Sequence, residues 1–266
     1  AMVGREITQV YPNKKSKIGE KLLEVKGLGK MGYYADISFT LHKGEILGLT
    51  GLVGAGRTEV CQSLFGITSF DRGEVYLKGQ KITVKNPKAA MNLGIGYLPE
   101  DRQLQGLVLD WGIGRNITLP ALKELSNKGW LNNKEESAIA KRLAEKVNVK
   151  ANSIFDLVSS LSGGNQQKVA VAKLLTADLD IIILDEPTKG VDVGAKSAIY
   201  EIINDLAASG YGIIMISSEM PEILGMSDRI VVMREGRITS VLNKEDATQE
   251  VILEAAMSDI KGKEVG

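Results

Sequence analysis

Strand-like and helix-like segments alternate from residue 21 to residue 257, which predicts an α/β domain with a mainly parallel sheet covered by helices on both faces. Two further observations support that fold class. The run "EILGLTGLVGAGRTEVCQSLFG" reads as strand, glycine loop and helix, and its residues 51–58 have the frame of a phosphate-binding loop. The run "LDIIILDEPT" is an unbroken apolar stretch ending in carboxylates, the pattern of a strand buried on both faces.

The elements follow in order. Residues 1–20 are polar, with Pro12 and four lysine or arginine residues, and read as a tail or linker. "KLLEVKGL" and "YADISFTLHKGEILGLTG" alternate apolar and polar residues around a Lys43-Gly44 turn and read as strands. A helix over "RTEVCQSLFG" closes at Gly66, and "PKAAMNLG" is a short helix starting at a proline. "IGYLPEDR" is a strand followed by a loop, and residues 112–160 are expected to be mostly helical. There Asn133 and Glu136 form a capping box, with Ile139, Leu143 and Val147 along one face. "LSGGNQQKVAVAKLLTAD" is a glycine turn opening a helix. After the buried strand, a helix carrying Ile199, Ile202, Ile203 and Leu206 stops at Gly210. "YGIIMISSE" and "SDRIVVMREG" are two more strands, "TQEVILEAAM" is a terminal helix, and residues 260–266 form a flexible tail.

Composition narrows the function classes. With 44% hydrophobic and 25% charged residues the 266-residue chain is ordinary globular protein, long enough for one large domain or two small ones. Lys+Arg 33 balance Asp+Glu 33, so no bulk attraction to nucleic acid or an anionic membrane is expected. The single cysteine, Cys61, excludes a disulfide framework and a cysteine-ligated metal site, and suits a reducing cytoplasm. No apolar run approaches transmembrane length, so a membrane link is expected through a partner.

Three stretches carry chemistry. In "GLVGAGRT", glycines let successive N–H groups point at phosphate oxygens, and the following helix adds its N-terminal partial charge. Lysine is usual at the penultimate position; Arg57 keeps the charge but is planar, forked and bulkier. Thr58 would ligate magnesium, as would Asp185 at the end of the buried strand, through a water, while Glu186 beside it would polarise an attacking water. The third stretch, "LSGGNQQ" at residues 161–167, is a second anion-binding nest. Each has a plainer reading when taken alone: a glycine turn, a solvated strand end, a serine N-cap. Two phosphate-seeking helix starts exceed what one nucleotide needs, so the second is expected to serve a nucleotide held by another subunit.

The order of these motifs resembles the nucleotide-binding domain of ABC transporters, with "GLVGAGRT" as Walker A, "LSGGNQQ" as signature and "ILDEPT" as Walker B. The resemblance covers residues 22 to about 245. It implies a P-loop NTPase of ABC type, a mainly parallel sheet flanked by helices, with an antiparallel β subdomain and a helical signature subdomain. The domain would run over 21–259, its core over 21–98 and 178–245, and its helical part over about 99–177. It further implies ATP and Mg2+ as cofactors and a head-to-tail pairing in which each ATP lies between one half's Walker A and the other half's signature. The residues assigned to nucleotide are Gly51, Val53, Gly54, Ala55, Gly56, Arg57, Thr58, Glu59 and Glu100, with Ser162, Gly163, Gly164 and Gln166 from the signature. Tyr33 and Tyr34 are candidates for stacking on adenine.

Three positions depart from the family pattern. Arg57 replaces the loop lysine, Glu100 stands where the family has glutamine, and Ser218 stands where it has a switch histidine. The only histidine, His42, lies on the turn before the Walker A strand. That combination, with "MVGRE", "LPEDRQLQGL" and "DEPTKGVDVGAK", is similar to the C-terminal half of the tandem ATPases of bacterial simple-sugar importers, the ribose, galactoside, xylose and autoinducer-2 group. The implied partners are an upstream ATP-binding half in the same native chain, a transmembrane permease and, indirectly, a periplasmic sugar-binding protein, with no nucleic acid. The implied location is the cytoplasmic face of the inner membrane. In that reading Glu186 is idle or nearly so, and residues 1–20 link the halves. Leu107, Leu109, Trp111 and Ile113 would suit a groove for a permease helix, with core packing as the alternative. A rival reading is a self-sufficient homodimeric ATPase.

Overall fold

The computed structural model describes residues 11–127 and 130–258. The first ten residues, including "MVGRE", and the expected tail 260–266 lie outside them. The chain opens with strands β1 (Lys21–Lys30), β2 (Tyr34–His42) and β3 (Ile46–Gly51), then helix α1 (Arg57–Phe65). The hairpin β4 (Arg72–Leu77) and β5 (Gln80–Ile82) leads to α2 (Pro87–Asn92) and β6 (Ile95–Leu98). A π-type turn over Arg102–Gly106 precedes α3 (Ile113–Thr118), the short pair β7 (Ser126–Asn127) and β8 (Trp130–Leu131), α4 (Asn133–Lys146) and α5 (Gly163–Leu174). The rest is β9 (Ile181–Asp185), α6 (Val193–Ala208), β10 (Gly212–Ile216), α7 (Met220–Met226), β11 (Arg229–Arg234), β12 (Arg237–Asn243) and α8 (Gln249–Met257).

Two main sheets result. One is six-stranded in the order β12-β11-β3-β10-β9-β6, with all neighbours parallel except the edge strand β12. The other is four-stranded and antiparallel, in the order β2-β1-β4-β5. Period-2 alternation divides the parallel strands between two cores. Ile182, Leu184, Ile213, Met215, Ile230 and Val232 face the core shared with α3 to α8, whereas Ile181, Ile183, Ile214, Ile216, Val231 and Met233 face the core under the antiparallel sheet and α1. Because both faces are covered, these strands read as continuous apolar runs.

Local chemistry explains the boundaries. Asn86 caps α2, accepting from the Ala89 amide, with Pro87 at the first helical position. Gly66 closes α1 in the left-handed conformation. The cap of α4 is one residue earlier than expected: Asn132, not Asn133, accepts from the amide of Glu135. Residues 112–160 are also less helical than expected. Two helices are separated by the β7–β8 pair, and turns follow the second. The strands β4, β5 and β12 and the helix α7 escaped the sequence reading. Both hairpins turn on two residues of positive φ, Lys78-Gly79 and Glu235-Gly236, the backbone form that suits a two-residue hairpin.

Two packing details bear on the site. His42 is committed to the fold: its Nδ1 lies 2.8 Å from Glu45 Oε2, and the wholly buried Glu45 also accepts from Arg229 Nε at 2.6 Å. Residues 11–15 lie along α6 and α7. The Tyr11 ring packs 5.0 Å from that of Tyr200, and Lys14 pairs with Asp228 at 2.5 Å.

Candidate functional site

Parallel strands deliver their C-terminal ends to one edge, and β3, β10 and β9 are neighbours in the sheet. The segments that follow them therefore converge on a cleft of about 560 Å³, lined by Val53 to Glu59, Glu100, Glu186, Thr188 to Val191, Lys196, Ser218 and Glu219. Glycine loop, Glu186 of the Walker B stretch and switch position, dispersed in sequence, share this wall, with the buried Asp185 behind Thr58.

Within it, Thr58 Oγ1 donates to Asp185 Oδ1 at 3.2 Å and Tyr97 OH donates to Asp185 Oδ2 at 2.7 Å. Burial pushes the Asp185 carboxyl above its ordinary range, and the nearby charges of Glu100 and Glu186 add to that, while its two hydrogen bonds oppose it. Burial, with the Asp185 charge beside it, pushes the Tyr97 phenol well up, so it remains a donor. The oxygens of Thr58 and Asp185 suit Mg2+, which takes few protein ligands beside phosphate and water. A cation here would also relieve the crowding of three carboxylates. Burial likewise raises the Cys61 thiol, which leaves it inert beneath the site.

The three departures from the family pattern all lie in this cleft, and each is engaged. Arg57 Nη1 donates to the Ser217 carbonyl at 3.0 Å, beyond the end of β10. Glu100 pairs with Lys189, a residue sequence reasoning passed over inside "DEPTKG". Ser218 Oγ donates to Glu186 Oε2 at 3.2 Å. Glu186 itself holds φ 48, a left-handed conformation uncommon for a side-chain-bearing residue. A second lysine, Lys196, bonds Glu219 Oε2 at 2.7 Å on the cleft wall.

Other expected residues sit elsewhere. Gly51 ends β3 where a Cβ would lie 2.1 Å from the Met233 carbonyl, so its glycine serves strand packing against β11. Ser162, Gly163, Gly164 and Gln166 open α5 and do not line the cleft. The exposed Ser162 makes no side-chain cap; its Oγ accepts from Asn165 Nδ2 at 3.2 Å. Gln166 is buried. It is 4% exposed, accepts from Gln103 Nε2 at 2.9 Å and donates to the Val158 carbonyl at 3.3 Å, so its amide anchors the turn. Tyr34 is buried, whereas Tyr33 is exposed and its carbonyl lies against Gly56 of the loop. Leu107 and Ile113 belong to the core, but Trp111 is 41% exposed and lines a groove with Arg115, Glu136, Phe155 and Leu157. Among the described residues no helix is long and apolar enough to cross a membrane.

Comparison with known proteins fits this geometry. The family model described as "ABC transporter" matches residues 34–189. The chain belongs to the ABC transporter family. Its ABC fold is shared with a nucleotide-free ATP-binding cassette from an ABC transporter, at TM-score 0.77 and 20% identity over 90% of this chain and 100% of that one. A dimeric cassette bound to ADP and Pi aligns with TM-score 0.72 and 19% identity, over 84% of this chain and 99% of that one. In sequence the chain is 49% identical over 255 residues to the ribose import ATP-binding protein RbsA of Lactococcus lactis, covering 96% of this chain and 52% of that protein. It is 47% identical to RbsA of Bacillus subtilis, with the same coverage, and 45% identical to a putative ribose/galactose/methyl galactoside import ATP-binding protein of Halalkalibacterium halodurans, over 98% of this chain and 50% of that protein. The chain spans about half the length of the curated relatives it matches.

Proposed function

We propose that this chain is the C-terminal ATP-binding half of a tandem sugar-importer ATPase. It binds ATP with Mg2+ in a cleft of reduced catalytic competence, and supplies its signature to the site of an upstream half. The observation that carries this reading is the state of the cleft. Arg57, Glu100 and Ser218 are bonded to Ser217, Lys189 and Glu186, while the signature residues do not line the cleft. The division is a nucleotide-binding core over 21–98 and 178–245, a helical part over about 99–177 and a linker before residue 21.

In this reading Thr58 and Asp185 hold the metal, and Tyr97 fixes the carboxylate that does so. Bound there, the metal would supply charge neutralisation to the phosphates. The amides of the 53–58 loop cradle the phosphates, and Tyr33 stacks on the base. Glu186, bonded to Ser218 and lacking a histidine partner, is poorly placed to orient water. The groove beside Trp111 and Phe155 receives a cytoplasmic helix of the permease, holding the protein peripherally at the inner membrane. The ribose and galactoside import named for the relatives supports the substrate class.

The test is ATP turnover by the two-half protein assembled with its permease. Losing the charge-assisted bond from Ser162 costs about 1.5–3 kcal/mol, a roughly ten- to hundredfold loss of rate if the contact is made mainly in the transition state. Ser162→Ala is therefore expected to cut turnover severely, and Glu186→Gln to leave most of it. Equal damage from both variants would make this half a second working catalytic site and overturn the proposal.

A further inference from the structure

Arg102 carries its charge into the interior without a carboxylate among its hydrogen-bond partners. The residue is 8% exposed, and it begins the turn that follows β6. Nη1 donates to the Lys189 carbonyl at 2.6 Å, Nη2 donates to the Gly190 carbonyl at 3.1 Å, and Nε has no partner. Gly163, the first residue of α5, lies against the same group. A Cβ there would stand 2.6 Å from the Gly190 carbonyl oxygen and 2.9 Å from Arg102 Nη2. One residue along, Gln103 bonds Gln166 in the first turn of α5. Three segments far apart in sequence thus close on one guanidinium: the turn after β6, the loop after β9 and the start of the signature helix.

A buried arginine is expensive, and a cation beside the N-terminus of a helix opposes its dipole. A neutral side chain of the same length would fill the space without either penalty. The charge is repaid only where its fork fixes backbone that no apolar group can hold, and where an anion arrives at the helix end. Lys189 joins the two sites. Its carbonyl holds Arg102, while its ammonium pairs with Glu100 inside the nucleotide cleft.

We propose that Arg102 is a positioning residue that locks the signature turn, Ser162 to Gly164, to the Lys189–Gly190 loop, keeping it in shape for phosphate and tying it to this chain's own cleft. The proposal rests on the reading that the signature serves a nucleotide held by another half.

Two measurements test it on Arg102→Met and Arg102→Lys. Gly163 is a poor probe because any side chain there clashes internally. In this chain, backbone amide exchange is expected to accelerate at 162–166 and 189–191 in Arg102→Met, with the β3, β9 and β10 amides unchanged. In the two-half protein assembled with its permease, kcat for ATP is expected to fall about tenfold, as for one lost charge-assisted contact, with KM changed less than about threefold. Arg102→Lys keeps the charge but loses the fork, and is expected to recover only part of both effects. Unchanged exchange in Arg102→Met overturns the proposal, and so does faster exchange with wild-type turnover. Ser162→Ala is the control. If it also leaves turnover intact, the reading of the signature fails, and the exchange result alone still decides what Arg102 holds.

Discussion

At the scale of single residues, Arg57 shows how an exchange that keeps charge changes a site. A lysine is a point charge on a flexible stem, whereas the Arg57 fork reaches the Ser217 carbonyl. Returning lysine alone leaves Glu100 paired with Lys189 and Ser218 bonded to Glu186. Arg57→Lys is therefore expected to leave ATP hydrolysis by this chain negligible, because catalytic groups acting as a unit are strongly non-additive. Steady-state assays would check it against the triple reversion Arg57→Lys, Glu100→Gln, Ser218→His; full activity in the single variant would count against the argument. Glu222 gives a pH prediction. It is 1% exposed, Thr188 Oγ1 donates to its Oε1 at 2.8 Å, and Oε2 has no partner. Burial raises its carboxyl above the ordinary value, and the Glu219 charge adds to that. Between the unfolded value and the raised folded one the native chain binds the extra proton, so rising pH removes stability through that window. Glu222→Gln is expected to be more stable than the parent at pH 7, with an advantage that shrinks as pH falls toward 4.5. Urea midpoints across that range would show it; an advantage independent of pH would exclude titration as the cause.

At the scale of elements, capping and turn chemistry were partly legible. The start of α4 was visible as a cluster of asparagine and glutamate, but two adjacent asparagines left the cap ambiguous by one residue. Only the backbone geometry resolved it, placing Asn132 outside the helix with its side chain on the Glu135 amide. Asn132→Ala is expected to cost about 1 kcal/mol and Asn133→Ala a few tenths, read from denaturant midpoints. Equal costs would restore the capping box on Asn133. The β4–β5 and β11–β12 hairpins had a signal that went unused, the Lys78-Gly79 and Glu235-Gly236 pairs between strand-like runs. The helical expectation over 112–160 failed for a different reason. Its two helices are separated and followed by turns held in part by side chains: Ser126 Oγ donates to the Leu122 carbonyl, and Asp156 Oδ2 accepts from the Ser153 amide. Such local competition with helix is not periodic and leaves no pattern to read.

At the scale of the whole molecule, the arrangement sets what the chain does by itself. Its cleft has the glycine loop with the Thr58–Asp185 pair at its wall, but Ser162 to Gly164 of the signature do not line it. In the proposed reading the signature serves a nucleotide held by another half, so one copy lacks a completed site. The isolated chain is expected to bind ATP weakly and hydrolyse it negligibly. Nucleotide titration and phosphate-release assays on the pure chain would measure both; robust turnover abolished by Glu186→Gln would favour the self-sufficient homodimer.

The sequence by itself determined the α/β class, the strand–loop–helix around Arg57, the carboxylates at the end of β9 and the three departures from the family pattern. Each is a short-range feature, fixed by periodicity, by glycine backbone freedom or by motif order. Only the tertiary structure decided which of those residues meet. Strand order puts β3, β10 and β9 side by side, so Arg57 reaches Ser217 across 160 residues of chain and Thr58 reaches Asp185 across 127. It also decided that Gln166, Leu107 and Ile113 are interior, and that Arg102 bonds the carbonyl of Lys189, whose ammonium pairs with Glu100 in the cleft. Burial and long-range hydrogen bonding depend on the packing of whole elements against one another, and a linear pattern of residues carries no record of that packing.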